Sequence, residues 1–127
     1  MKHLFFSAII AVMGLSAMGQ TLDVNGTFYY PGGKLSWHVA SGDRIDPVKL
    51  NNREIRWVAA SPDVFSAGFK MNDTILVKCQ QAPQINGKWV IKDRTGKRHR
   101  RMIDFLMSRK DHYGLPGHFK LTISKAK

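Results

Sequence analysis

One stretch limits what this chain can fold into: Trp89 to Ser108, WVIKDRTGKRHRRMIDFLMS. Its apolar start, Trp89-Val90-Ile91, reads as a buried strand, and Lys92-Asp93-Arg94-Thr95-Gly96 sets an acid just before a turn signal. A basic block follows, Lys97-Arg98-His99-Arg100-Arg101, and then a second apolar run around Asp104, Met102 to Met107. Two carboxylates, each beside apolar residues, therefore bracket a cationic loop. Asp93 stands between Lys92 and Arg94, cations that stabilise its carboxylate, whereas Asp104 stands between Ile103 and Phe105.

The first 19 residues are set apart from the rest. Met1-Lys2-His3 is short and basic, Leu4 to Met13 is almost unbroken in its apolar character, and Ala17-Met18-Gly19 puts small residues where a signal peptidase needs them. This predicts a signal peptide over 1–19, a mature domain over 20–127, and a secreted or periplasmic protein. The apolar run is shorter than the ~20 residues of a spanning helix, and no later stretch is longer, so no transmembrane segment is expected. The sole cysteine, Cys79, rules out an internal disulfide. It lies far from the cleavage site and reads as a buried small hydrophobe or a free thiol. With no C-x-x-C and no histidine pair at ligand spacing, no metal or organic cofactor is expected. A mature domain of this size holds one core, and a monomer is expected.

Short strands dominate the remainder. Thr21 to Tyr30 is rich in residues that suit a pleated surface and stops at Pro31-Gly32-Gly33. Leu35 to Ala40 reads as a short second strand, and Val48 to Arg53 as one helical turn or none. Arg56 to Ser61 and Thr74 to Cys79 read as buried strands. Asn86-Gly87 is a hairpin signal with Lys88 to Lys92 as the return strand. Asp104 to Tyr113 has the length and composition of a short helix closed by Gly114 and Pro116. His118 to Ser124 alternates, with Phe119, Leu121 and Ile123 on one face. The sum is an all-β chain, a small closed six-stranded barrel with one short helix.

The motifs run in a recognisable order: Tyr29-Tyr30, Gly42 to Pro47, Val58-Ala59-Ala60-Ser61, a strand ending at Cys79, then Val90-x-x-Asp93-Arg94-x-Gly96 and Arg101-x-Ile103-Asp104-Phe105. From Phe28 to Ile123 this resembles the rare lipoprotein A-like (RlpA-like) double-psi β-barrel family and its barwin, expansin and plant natriuretic peptide relatives. The resemblance implies a six-stranded double-psi β-barrel. It also implies action on cell-wall glycan, either as a peptidoglycan lytic transglycosylase or as an expansin-like module that binds wall polysaccharide without cleaving it. RlpA-like enzymes carry Thr-Ala-Ala-His where this chain has Val58-Ala59-Ala60-Ser61, so the histidine that assists their acid is replaced here by Ser61.

The resemblance makes Asp93 the general acid/base. Transglycosylation needs a proton donor at the glycosidic oxygen and then a base for the 6-hydroxyl, and one carboxyl can serve both steps. The simpler reading of Asp93 is a side chain that caps the following turn. Asp104 is the second candidate catalytic acid; the resemblance matches it to an aspartate more often credited with holding the barrel or the site together, and its simpler reading is the N-cap of the expected helix. Ser61 and Asp63 stand where the helper histidine would be and are candidate substrate contacts, or plain turn residues. Tyr30 is the candidate sugar platform. Arg94, Arg98 and Arg100 are candidate ligands for wall anions, or members of a solvated loop.

The formal charge of +11 falls to +10 if Lys2 leaves with the signal peptide, which favours anionic partners without choosing among them. Nucleic acid is the less expected partner, since no aromatic residue interleaves the cations between Asp93 and Met102. Peptidoglycan or another wall polysaccharide is the expected one.

Overall fold

Six strands close on one another in the order β1-β5-β2-β4-β3-β6. The computed structural model describes residues 20–32 and 36–126; the signal peptide expected over 1–19 lies outside the described residues. The strands are β1 (Thr21–Tyr29), β2 (Trp57–Ala60), β3 (Thr74–Lys78), β4 (Gly87–Arg94), β5 (Met102–Leu106) and β6 (Phe119–Lys125). Two pairs run parallel, β1 with β5 and β2 with β4, and the other four antiparallel. Apart from the β3–β4 hairpin the neighbours are remote in sequence, so every strand has at least one long-range partner, and closure leaves no free edge. This is the all-β six-stranded barrel expected from the sequence.

Alternation builds the interior. Val24, Val58, Ala60, Ile75, Val77, Trp89, Ile91, Ile103, Phe105, Phe119, Leu121 and Ile123 form one buried cluster. Trp89 sits at its centre, with its ring edge-on to Phe105 and its indole N–H donating to the Ile85 carbonyl at 2.8 Å. Cys79 is buried as expected.

A second, smaller cluster lies outside the barrel wall. Val39, Ile45, Leu50 and Ile55, from the segment between β1 and β2, cover the outer face of Leu106, with Tyr29 and Trp57 packed alongside. This segment carries helix α1 (Pro47–Asn51), whose Asp46 carboxylate accepts from the Val48 and Lys49 amides. It shows an isolated bridge between His38 and Arg44 rather than the strand expected over 35–40. Leu35 is outside the described residues.

The expected late helix is replaced by strand. Met102–Leu106 is β5, and the residues after it make a turn with a bridge from Ser108 to Asp111. The reason is burial on both sides: Ile103 and Phe105 face the interior while Leu106 faces the outer cluster. A strand covered on both faces reads as a continuous apolar run, which periodicity alone does not separate from a buried helix. The described helices lie elsewhere, at α1 and at α2 (Pro62–Ser66). The β3–β4 hairpin exists, but Asn86-Gly87 is not its two-residue turn. A longer connection holding a 3-10 turn (Pro83–Ile85) joins the strands, and Asn86 Oδ1 accepts from the Cys79 amide at 2.7 Å.

Candidate functional site

Both acids that bracket the basic loop belong to one lateral row of the barrel wall. Thr27 of β1 is in register with Asp104 of β5, Asp104 with Ala59 of β2, and Ala59 with Asp93 of β4. Val58 and Ala60 point into the core, so Ala59 and its register partners face outward.

Asp93 reaches this face through a bulge. Val58 pairs with Ile91, but the next residue, Ala59, pairs with Asp93, so Lys92 is the extra residue. Strict alternation from Ile91 would send Asp93 into the apolar interior, and the bulge turns it out instead. Lys92 also points away from the core. Its ammonium donates to Asp43 at 2.8 Å and to Asn72 at 2.9 Å, and lies over the Trp57 ring.

The two carboxyls have different surroundings. Asp93 Oδ1 accepts from the Ala40 amide at 3.0 Å and from the Arg94 amide at 2.9 Å. Its Oδ2 accepts from the Tyr29 hydroxyl at 3.1 Å. Burial, reinforced by the Asp93 charge, pushes the Tyr29 phenol far up, so Tyr29 stays a donor. Asp104 accepts one hydrogen bond, from the Thr27 hydroxyl at 2.9 Å. Burial pushes its pKa up. The Thr27 bond and the charge of His99 pull the other way, and the Asp93 charge adds to the rise. One acid is thus anchored by three donors, while burial of the other favours its protonated form.

Ser61 and Asp63 form a clasp under the basic loop. The Ser61 hydroxyl donates to Asp63 Oδ1 at 2.7 Å and accepts from the Met102 amide at 2.9 Å. Both Asp63 oxygens accept from the Arg101 amide, at 3.0 and 2.9 Å. Arg101 has φ of 48°, a left-handed conformation that needs such support.

The basic loop is exposed. Arg94 lies over the Phe65 ring, and Arg100 folds back to donate to the Lys97 and His99 carbonyls, both at 2.8 Å. Arg98 is exposed, with no hydrogen bond or ion pair among the described residues. Tyr30 lies on the opposite face of β1 from Thr27 and Tyr29. It packs edge-on to Phe28 under the Arg109 guanidinium, away from the acids.

The structure therefore brings together Asp93 and Asp104, sets Ser61 and Asp63 at the loop's base, and leaves Tyr30 apart. Sequence reasoning missed Thr27 as a partner of Asp104 and Tyr29 as a partner of Asp93. Their i, i+2 spacing on β1 was the available signal.

The fold matches that of an expansin. The crystal structure of apo expansin from Clavibacter michiganensis superposes with a TM-score of 0.57 at 12% sequence identity. The match covers 85% of this chain and 51% of that one, so the chain spans about half the length of the expansin it matches. No family model matches the sequence, and no curated protein does. Among the described residues no helix is long and apolar enough to cross a membrane, and no group of three or more His, Cys, Asp or Glu side chains could hold a metal ion.

Proposed function

We propose that this protein is an exported cell-wall glycan-acting module, a lytic transglycosylase in which Asp104 is the proton donor and acceptor. The observation that carries this reading is the unequal pair on one outward row: Asp104 with a raised pKa and one hydrogen bond, Asp93 held by three donors. A carboxyl that holds its proton more tightly than an ordinary carboxylate can protonate a glycosidic oxygen. The carboxylate so formed can then take the proton of the 6-hydroxyl as it closes on the anomeric carbon. Asp93 is the second carboxylate of the site, placed to accept sugar hydroxyls or to stabilise positive charge at the anomeric centre. The acid/base role thus passes from Asp93, where the resemblance set it, to Asp104, whose surroundings favour the protonated form. The similarity of the fold to an expansin supports a wall polysaccharide as the substrate class.

A second reading, a non-catalytic wall-binding module, draws support from Ser61. At the position of the helper histidine this side chain is already engaged, by Asp63 and by the Met102 amide, and it does not titrate.

Digestion of peptidoglycan sacculi, intact and stripped of stem peptides, separates the two readings. Mass analysis showing 1,6-anhydromuramic ends with the wild type and none with Asp104→Asn is the expected result. Retention on sacculi with no anhydro ends from any variant replaces the enzyme reading by the binding one.

A further inference from the structure

The barrel carries a second surface feature, centred on strands that hold neither Asp93 nor Asp104. Strands β3, β6 and β1 present their outward residues to an open cleft of 1320 Å³. Lys120 and Thr122 of β6 lie along its middle. Asn25 pairs with Lys120 on one side, and Thr122 is in register with both Asp23 and Lys78. Gln80, Gln81 and Asn86, from the β3–β4 connection, and Arg101, from the end of the basic loop, complete the polar lining.

Three properties select a ligand class. First, the lining has three cations, Lys78, Arg101 and Lys120, against the single carboxylate of Asp23, and none of the three is in an ion pair among the described residues. Second, two of the carboxamides are oriented as donors. Gln81 Oε1 accepts from the Lys120 amide and Asn86 Oδ1 from the Cys79 amide, both at 2.7 Å, which leaves their NH2 groups for a ligand. Third, among the described residues no aromatic side chain lines the cleft, so these residues offer no stacking surface for a neutral sugar face or a nucleic-acid base. Cations and amide donors without a stacking surface suit an acceptor-rich anion. Arg101 also follows Lys97, Arg98 and Arg100 directly in the chain, so the cleft continues into the basic loop. Such a track engages a repeating anion at several points at once.

We propose that this cleft is a binding site for an anionic wall polysaccharide, recognised through its repeated acid groups and separate from the Asp93–Asp104 row. The proposal rests on the wall-acting reading for its choice of polymer. The cleft would hold the protein on the anionic matrix while the acid row engages glycan.

Titration of the full chain with polygalacturonate, with poly(glycerol phosphate) teichoic chains and with a neutral β-glucan tests it. At least one anionic chain should bind, more weakly as salt rises, and the neutral chain should not. The anionic arm that responds identifies carboxylate or phosphate as the acid group. Lys78→Gln with Lys120→Gln should weaken binding about tenfold, and Lys78→Arg with Lys120→Arg should retain it, all at unchanged Tm. Equal binding of the neutral glucan overturns the proposal. So does full affinity in the glutamine variant, or an equal loss in the arginine variant. The sacculus digestion reads bond cleavage and this titration reads polyanion affinity, so the two proposals fail separately.

Discussion

Asp93 and Asp104 are both register partners of Ala59, one across the parallel β2–β4 pair and the other across the antiparallel β2–β5 pair. Two strand spacings, each about 4.8 Å, therefore lie between their backbones, and the smallest chiral side chain stands between them. The two acids differ in their surroundings: burial raises the pKa of Asp104, and three hydrogen-bond donors hold Asp93.

Asp104→Asn should lower glycan cleavage by about 10²–10⁴-fold, the usual contribution of a general acid, and should raise stability near neutral pH. The Asp104 carboxyl binds its proton more tightly in the folded protein than in the unfolded chain. Its contribution is therefore fully present below the ordinary carboxylate range and is lost as pH rises through the raised folded value. Thermal melts should show the variant above wild type at pH 7 and the two proteins coincident at pH 3. A variant that melts below wild type at pH 7 would contradict the burial argument.

Asp93→Ala removes the acceptor of the Ala40 and Arg94 amides and of the Tyr29 hydroxyl. The cost should be about 1 kcal/mol, because the part-buried Tyr29 hydroxyl loses its acceptor while the exposed Ala40 and Arg94 amides can turn to water. Hydrogen exchange should quicken at Ala40 and Ser41, where the covering segment meets β4, while Trp89 and Ile91 stay protected. Uniform loss of protection would show that Asp93 supports the whole barrel.

Asp63→Ala tests the clasp under the basic loop. Burial pushes the Asp63 carboxyl up, but the hydrogen bonds from Ser61 and from the Arg101 amide, aided by the Arg100 charge, outweigh it and hold the pKa below its ordinary value. The contribution is thus present above the ordinary carboxylate range and fades as pH falls through the lowered folded value. The variant should lose about 1 kcal/mol at neutral pH, roughly 4–8 °C in Tm, and the gap to wild type should narrow in acid. A gap that widens in acid would refute the assignment.

Gly26→Ala should destabilise the barrel by about 1–3 kcal/mol through overpacking. A Cβ at Gly26 would stand 2.2 Å from the Phe119 ring, its register partner on β6. Phe119→Leu in the same background should recover part of the loss in chemical denaturation. No recovery would place the strain in the backbone instead.

Much of the fold was legible because its signals are local. Thr21 to Tyr29, Thr74 to Lys78 and Phe119 to Lys125 show their strand character in β-branched and aromatic content or in alternation. Met102 to Leu106 misled because its outer face is covered by Val39, Ile45, Leu50 and Ile55. Those residues lie more than 45 positions away in the chain, and local composition does not reveal a cover supplied from that distance. The outward turn of Asp93 was equally hidden, since it depends on a bulge defined only by the pairing of β4 with β2.

The sequence by itself determined the strand-rich chain, its single cysteine, its excess of positive charge and the two acids flanking a cationic loop. These follow from side-chain chemistry and from spacing along the chain. Only the tertiary structure decided that Asp93 and Asp104 share one outward row, that Tyr29 and Thr27 divide between them, and that Ser61 and Asp63 clasp the loop. It also decided that Lys78 of β3, Lys120 of β6 and Arg101 of the basic loop line one cleft. The physical reason is that hydrogen-bond partners, burial and charge neighbours are set by the register of strands remote in sequence, and register exists only once the barrel has closed.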